Sequence, residues 1–196
     1  MEVTFCGNWE NNGRKIIIQQ QEKTFFCSLS QKNIGIIFNN DLIVSEFDDG
    51  AQSGGIGVYS PIGDGYSNYA LWSSTGIIGQ LGSGIALKSD ESLGFDGEYN
   101  VRYYVGNRDG DSFIVRIGRV GNGSIYKLSW FKENKNTLHG IGFMIENSLA
   151  FAWGSIDHKY NFNRFHFCID NGTEKLISQT IKWNATKIES NDYIRV

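Results

Sequence analysis

The residues best equipped for chemistry are three histidines, His139, His158 and His166, and four tryptophans, Trp72, Trp130, Trp153 and Trp183, at or near the ends of apolar runs. Asp157-His158 follows Trp153-Gly154-Ser155 in an expected loop, a setting in which a carboxylate could orient an imidazole for acid–base work. Neighbours on a strand point to opposite faces, however, so adjacency alone does not make a catalytic pair. His166 alternates with Phe165 and Phe167 and so belongs to the face opposite those rings. No G-x-S-x-G or comparable nucleophile motif accompanies them. Binding without catalysis is the expectation. Trp72, Trp130, Trp153 and His166 are the residues expected to touch a small apolar or amphipathic ligand, because such clefts combine aromatic walls with few polar groups.

Metal and phosphate chemistry find no support. Cys6, Cys27 and Cys168 are far apart and form no C-x-x-C pair, so they read as reduced, buried thiols. Asn107-Arg108-Asp109-Gly110-Asp111-Ser112 is rich in oxygen ligands. Counted as an EF-hand loop it has Ser112 where Gly is needed and Gly118 where Glu is needed, so a hairpin turn is expected instead. Gly54-Gly55-Ile56-Gly57 and the stretch 76–84 lack a P-loop lysine and a following helix; their glycines are expected to mark bulges or barrel corners. No cofactor and no metal are expected.

Elements must position these groups, and composition says which kind. Over 196 residues, 14% are aromatic, 24 are Gly and one, Pro61, is Pro. Aromatic and β-branched residues suit a pleated, half-buried surface, while Gly supplies tight turns. Net charge is −3, and no run of Lys and Arg exceeds two residues, which argues against a nucleic-acid partner. No apolar run is long enough for a membrane helix, and the first residues lack the pattern of a signal peptide, so a cytoplasmic home is expected.

Turn dipeptides punctuate the chain: Asn12-Gly13, Asp49-Gly50, Asp64-Gly65, Asp109-Gly110, Asn122-Gly123 and Asn171-Gly172. Ten strand-like runs lie between them: 14–20, 24–30, 34–38, 42–47, 98–105, 112–118, 124–131, 140–145, 149–153 and 164–169. The sequence also repeats. Residues 34–42 align with 141–149 at an offset of 107, as does Asp64-Gly65 with Asn171-Gly172. Gly7-Asn8 is matched to Gly106-Asn107 at an offset of 99, which also pairs Ile18 with Ile117 and Leu29 with Leu128. The extra length is assigned to residues 132–138. The fold class expected is all-β: one antiparallel up-and-down barrel of roughly ten strands, a single domain built from similar halves at 1–93 and 94–196. Closure is preferred because it removes exposed strand edges.

Gly7-Asn8-Trp9 resembles the G-x-W of the first strand in lipocalins and other calycins, and Trp183-Asn184-Ala185-Thr186 is similar to the closing segment of avidins. The resemblance implies that Trp9 plugs one barrel end beneath an arginine of the last strand. Arg195 is the better candidate and Arg14 the poorer, and Gly7, Trp9 and Arg195 then close the barrel. In texture the chain also resembles duplicated bacterial β-barrel proteins. An enzyme with a barrel pocket, as some calycins are, is the alternative. A third reading is an interaction module with a solid core.

Overall fold

The computed structural model describes residues 4–28, 32–48, 53–63, 66–90, 92–106, 108–121 and 123–196, and no helix occurs among them. Sixteen strands follow one another: β1 (Gly7–Asn11), β2 (Arg14–Gln21), β3 (Thr24–Cys27), β4 (Lys32–Phe38), β5 (Asp41–Phe47), β6 (Gly54–Pro61), β7 (Ser67–Ser74), β8 (Gly82–Lys88), β9 (Gly97–Val105), β10 (Arg108–Arg119), β11 (Ile125–Lys132), β12 (Lys135–Ile145), β13 (Ser148–Ser155), β14 (Tyr160–Asp170), β15 (Thr173–Lys182) and β16 (Glu189–Arg195). Asn12-Gly13 and Asn171-Gly172 turn with positive φ at both positions, the primed geometry that suits strand twist. Asn39-Asn40 and Glu133-Asn134 do the same without a glycine.

These strands close into two antiparallel barrels of eight, not one of about ten. The first runs β1-β16-β15-β14-β5-β4-β3-β2 and the second runs β10-β11-β12-β13-β6-β7-β8-β9. Read around the circle, β1–β5 and β14–β16 match β9–β13 and β6–β8 in the same order. Each half of the chain therefore gives five strands to one barrel and three to the other. The halves are exchanged.

Sequence periodicity both undercounts the strands and leaves their assignment to barrels open. Strands β6 and β8 are glycine-rich, and β15 and β16 alternate weakly, so none shows a strong apolar period. Periodicity also carries no information about which strands pair. The glycines at 54–57 mark neither bulge nor corner, since β6 pairs with β7 and β13 in unbroken register. Asp109-Gly110 is no turn either; it lies within β10, where the register against β9 slips between Asp109 and Ser112. Asp49-Gly50, Asp64-Gly65, Asn107, Asn122 and Leu29 lie outside the described residues.

The repeat also takes a different register at its start. Gly97-Glu98-Tyr99 opens β9 as Gly7-Asn8-Trp9 opens β1, an offset of 90, whereas Gly106 sits in the turn after β9. Gly7 and Gly97 share φ values of 144° and 141°, which L side chains rarely adopt. Trp9 Nε1 donates to the Phe5 carbonyl (3.0 Å), and Tyr99 Oη donates to the Phe95 carbonyl (3.2 Å). The Arg195 guanidinium lies 5.0 Å from the Trp9 ring centroid and donates to the Cys6 carbonyl, while Glu174 pairs with it. Lys88 Nζ takes the same place over Tyr99 (5.6 Å), donating to the Ser92 and Gly94 carbonyls. One arrangement, a ring under a cation from a neighbouring strand, is built twice.

Inward residues fill each barrel separately: Phe5, Trp9, Ile16, Ile18, Phe25, Leu42, Val44, Phe165, Leu176 and Tyr193 in the first, with Tyr59, Tyr99, Val101, Val115, Leu128, Trp130 and Phe151 among those in the second. A third core joins the barrels. Outward Ile34, Ile36, Ile43, Phe47, Tyr160, Phe162 and Ile181 of the first meet Ile56, Val58, Ile125, Ile141, Phe143, Ala150 and Ala152 of the second. Strands β5 and β13 are consequently buried on both faces, which explains the consecutive apolar residues Leu42-Ile43-Val44 in one and Leu149-Ala150-Phe151-Ala152-Trp153 in the other. Cys6, Cys27 and Cys168 are all free thiols; Cys27 is buried and the other two are half-buried. No helix of the described residues is long and apolar enough to cross a membrane.

Candidate ligand site

The inner surface of the second barrel is organised by pairing aromatic residues with glycines on adjacent strands. Trp72 of β7 faces Gly82 of β8 across the ladder, Trp153 of β13 faces Gly140 and Gly55, and Phe151 faces Gly142 and Gly57. The fit is close enough to exclude any side chain. A Cβ on Gly82 would stand 2.2 Å from the Trp72 ring, one on Gly55 2.6 Å from Trp153, and one on Gly140 2.8 Å from Trp130. Each ring therefore lies against a neighbour's bare backbone instead of projecting across the lumen, the arrangement by which aromatic residues compensate for glycine in a sheet.

The space so preserved is a cavity of about 270 Å³ lined by Ala70, Trp72, Tyr103, Val105, Gly110, Asp111, Phe113, Trp130, Leu138, Phe151 and Trp153. For scale, an engineered apolar cavity of ~150 Å³ holds benzene. Three of the four expected ligand residues, Trp72, Trp130 and Trp153, meet here, brought together from β7, β11 and β13. His166 does not. It lies on the outer face of the first barrel, its Nδ1 2.7 Å from Asp41 Oδ1.

Polar groups along the lumen are engaged by one another. Tyr103 Oη lies 2.5 Å from Tyr59 Oη and accepts from Trp130 Nε1 (2.7 Å). Trp72 Nε1 donates to the Ser83 carbonyl at 2.9 Å. Burial pushes the Tyr103 hydroxyl up to about 12, against the lowering effect of its bonds to Tyr59 and Trp130. Burial likewise raises Tyr59, reinforced by the neighbouring Tyr103. Both are neutral phenols at physiological pH.

One residue breaks the apolar lining. The slip between Asp109 and Ser112 is a β-bulge, a feature that re-aims side chains beside functional sites, and it places Gly110 and Asp111 at the cavity mouth. Gly110 is required there, since a Cβ would stand 2.8 Å from the Tyr103 carbonyl oxygen. Asp111 Oδ1 accepts from Lys132 Nζ at 2.5 Å, and that ammonium also stands 5.9 Å from the Phe113 ring centroid. Sequence reasoning missed Tyr103, Phe113, Phe151 and Asp111. Tyr99, Val101 and Tyr103 alternate with polar Asn100 and Arg102, which puts Tyr103 on the Tyr99 face, but nothing local says that this face encloses a space.

The remaining candidates for chemistry lie elsewhere. His158 Nδ1 is 3.2 Å from Asp48 Oδ1, and the adjacent Asp157 is not that partner. Asp41 is almost fully buried between His166 and Arg164, whose Nε and Nη2 donate to its second oxygen at 2.7 and 2.6 Å. His139 is stacked between Trp183 (3.8 Å) and Tyr160 (5.1 Å) at the junction of the barrels. The Ile156 carbonyl can only accept, so Nε2 of His139 donates to it (3.0 Å), and Tyr160 Oη donates to Nδ1 (2.6 Å). Burial lowers the basicity of this imidazole. No group of three metal-ligating side chains occurs among the described residues. Comparison with protein-family models, curated proteins and solved structures finds no match to this chain.

Proposed function

We propose that this protein binds a small apolar or amphipathic molecule in the lumen of its second barrel, without transforming it. The observation that carries the reading is the glycine–aromatic pairing, which holds a cavity of about 270 Å³ open where inward side chains would otherwise fill it. Small eight-stranded barrels are commonly packed solid or hold one small ligand, as lipocalins and streptavidin do. The calycin-like motif at Gly7-Asn8-Trp9 is in keeping with this reading. No histidine is among the cavity residues, and its one phenol, Tyr103, stays protonated, so the lining is better suited to holding a molecule than to moving a proton.

The test is tryptophan emission of the full chain titrated with 1-naphthol, alongside native mass spectrometry before and after organic extraction. Saturable quenching that is reduced in Trp153→Leu supports the reading. An unperturbed emission spectrum together with no extractable mass would sink it.

A further inference from the structure

We propose that the group received at the mouth of this cavity is a quaternary ammonium, held by cation–π contact with the aromatic walls and balanced by Asp111. The inference rests on the reading of the lumen as a binding pocket and narrows what it takes.

Three features point to a cation. Six of the eleven lining residues are aromatic, three of them tryptophans, whose ring faces attract cations most strongly. The single charged residue of the lining is an acid, and the β-bulge at Gly110 sets it at the rim. An ammonium already sits there: Lys132 Nζ, against Asp111 and beside the Phe113 ring, reproduces with a side chain the contacts a ligand cation would make. Lys132 and Asp111 are about half exposed, at 48% and 62%, so their pair is weak and readily displaced.

A further feature selects the quaternary kind. A primary ammonium brings three N–H donors that must all be satisfied when it leaves water. The hydroxyls of Tyr59 and Tyr103 are committed to each other and to Trp130, and the indole N–H groups of Trp72 and Trp130 can only donate, which leaves few acceptors inside. A quaternary nitrogen has no N–H and asks only for polarisable faces and a counter-charge. Tetrahedral methyl groups are small enough for the volume available.

The experiment titrates the full chain with choline and with 3,3-dimethyl-1-butanol, its uncharged carbon isostere, by calorimetry and tryptophan emission. Choline is expected to bind ~10-fold more tightly than the isostere, the gain of a desolvated cation–π contact. Asp111→Asn is expected to weaken choline several-fold more than the isostere. Lys132→Met, which removes the competing cation, is expected to tighten choline. Equal affinity for choline and the isostere, or choline binding indifferent to both substitutions, overturns the ammonium assignment while leaving the pocket reading intact. If choline, the isostere and 1-naphthol all fail to bind, the pocket reading falls as well.

Discussion

Asn39 donates from Nδ2 to Glu146 Oε2 at 3.0 Å, and these two residues are repeat equivalents, 107 positions apart. A residue that meets its own counterpart lies on the axis relating two similar units. Asn39 ends the β4–β5 hairpin and Glu146 the β12–β13 hairpin, so the two barrels associate about a pseudo-twofold axis through these turns. In topology the chain is equivalent to a strand-exchanged dimer whose subunits have been joined.

Segments 1–93 and 94–196, produced as separate chains and mixed, are therefore expected to form a one-to-one complex. Neither can close a barrel from its own strands, since each gives five to one and three to the other. Light scattering checks the stoichiometry. Two folded monomers that ignore each other would refute the exchanged topology.

Gly82→Ala is expected to cost about 1–3 kcal/mol, the range for overpacking a filled site, because its Cβ would enter the Trp72 ring. It should also weaken 1-naphthol binding by displacing that ring into the lumen. Gly118→Ala is the control: it is exposed, and a Cβ there meets nothing within 4 Å. Urea midpoints of the two variants separate a steric effect from a general intolerance of alanine.

Arg195→Ala removes both the contact with Trp9 and the bond to the Cys6 carbonyl, and a loss of about 1–3 kcal/mol is expected. Arg195→Lys should recover part of it, since Lys88 performs the equivalent task over Tyr99. Thermal unfolding of the pair decides this. A lysine variant no better than alanine would mean that the two closures are not equivalent.

Asp41→Asn is expected to destabilise by about 3 kcal/mol, because it strips a buried anion from the Arg164 guanidinium. His166→Ala should cost less than about 1 kcal/mol, its ring being half exposed. If chemical denaturation ranks them the other way, the histidine and not the arginine is the partner that matters.

Acidification should loosen the junction between barrels through His139. Its folded-state pKa is depressed by burial, so below about 6.5 the unfolded chain binds a proton that the folded chain resists. The contribution is present in full above that value and is lost as pH falls toward the folded pKa. The loss between pH 7 and 5 should be smaller in His139→Gln, measured as the difference in urea midpoint. An identical pH profile in the variant would exclude His139 as its source.

Much of the secondary structure could be read from residue order. All ten strand-like runs overlap strands, because outward polar and inward apolar residues alternate in such segments as β9 and β11. The cavity was legible only in part. Trp72, Trp130 and Trp153 drew attention by type, but Asp111 did not, because Asp109-Gly110 carries the same local signal whether it turns a hairpin or forms a bulge. His166 is placed by alternation on the face opposite Phe165 and Phe167, but a period of two distinguishes faces without saying which is inside.

By itself the sequence determined what is local: an all-β chain, turns at Asn12-Gly13 and Asn171-Gly172, and a duplicated order of features. Those follow from backbone preferences and side-chain alternation, which neighbouring residues settle among themselves. Tertiary structure alone decided that the strands close twice, that the halves trade three strands each, and that glycines on one strand make room for rings on the next. The pairings that decide this, β5 with β14 and β6 with β13, join residues about a hundred positions apart, and no local preference distinguishes a barrel closed within a half from one closed by its counterpart.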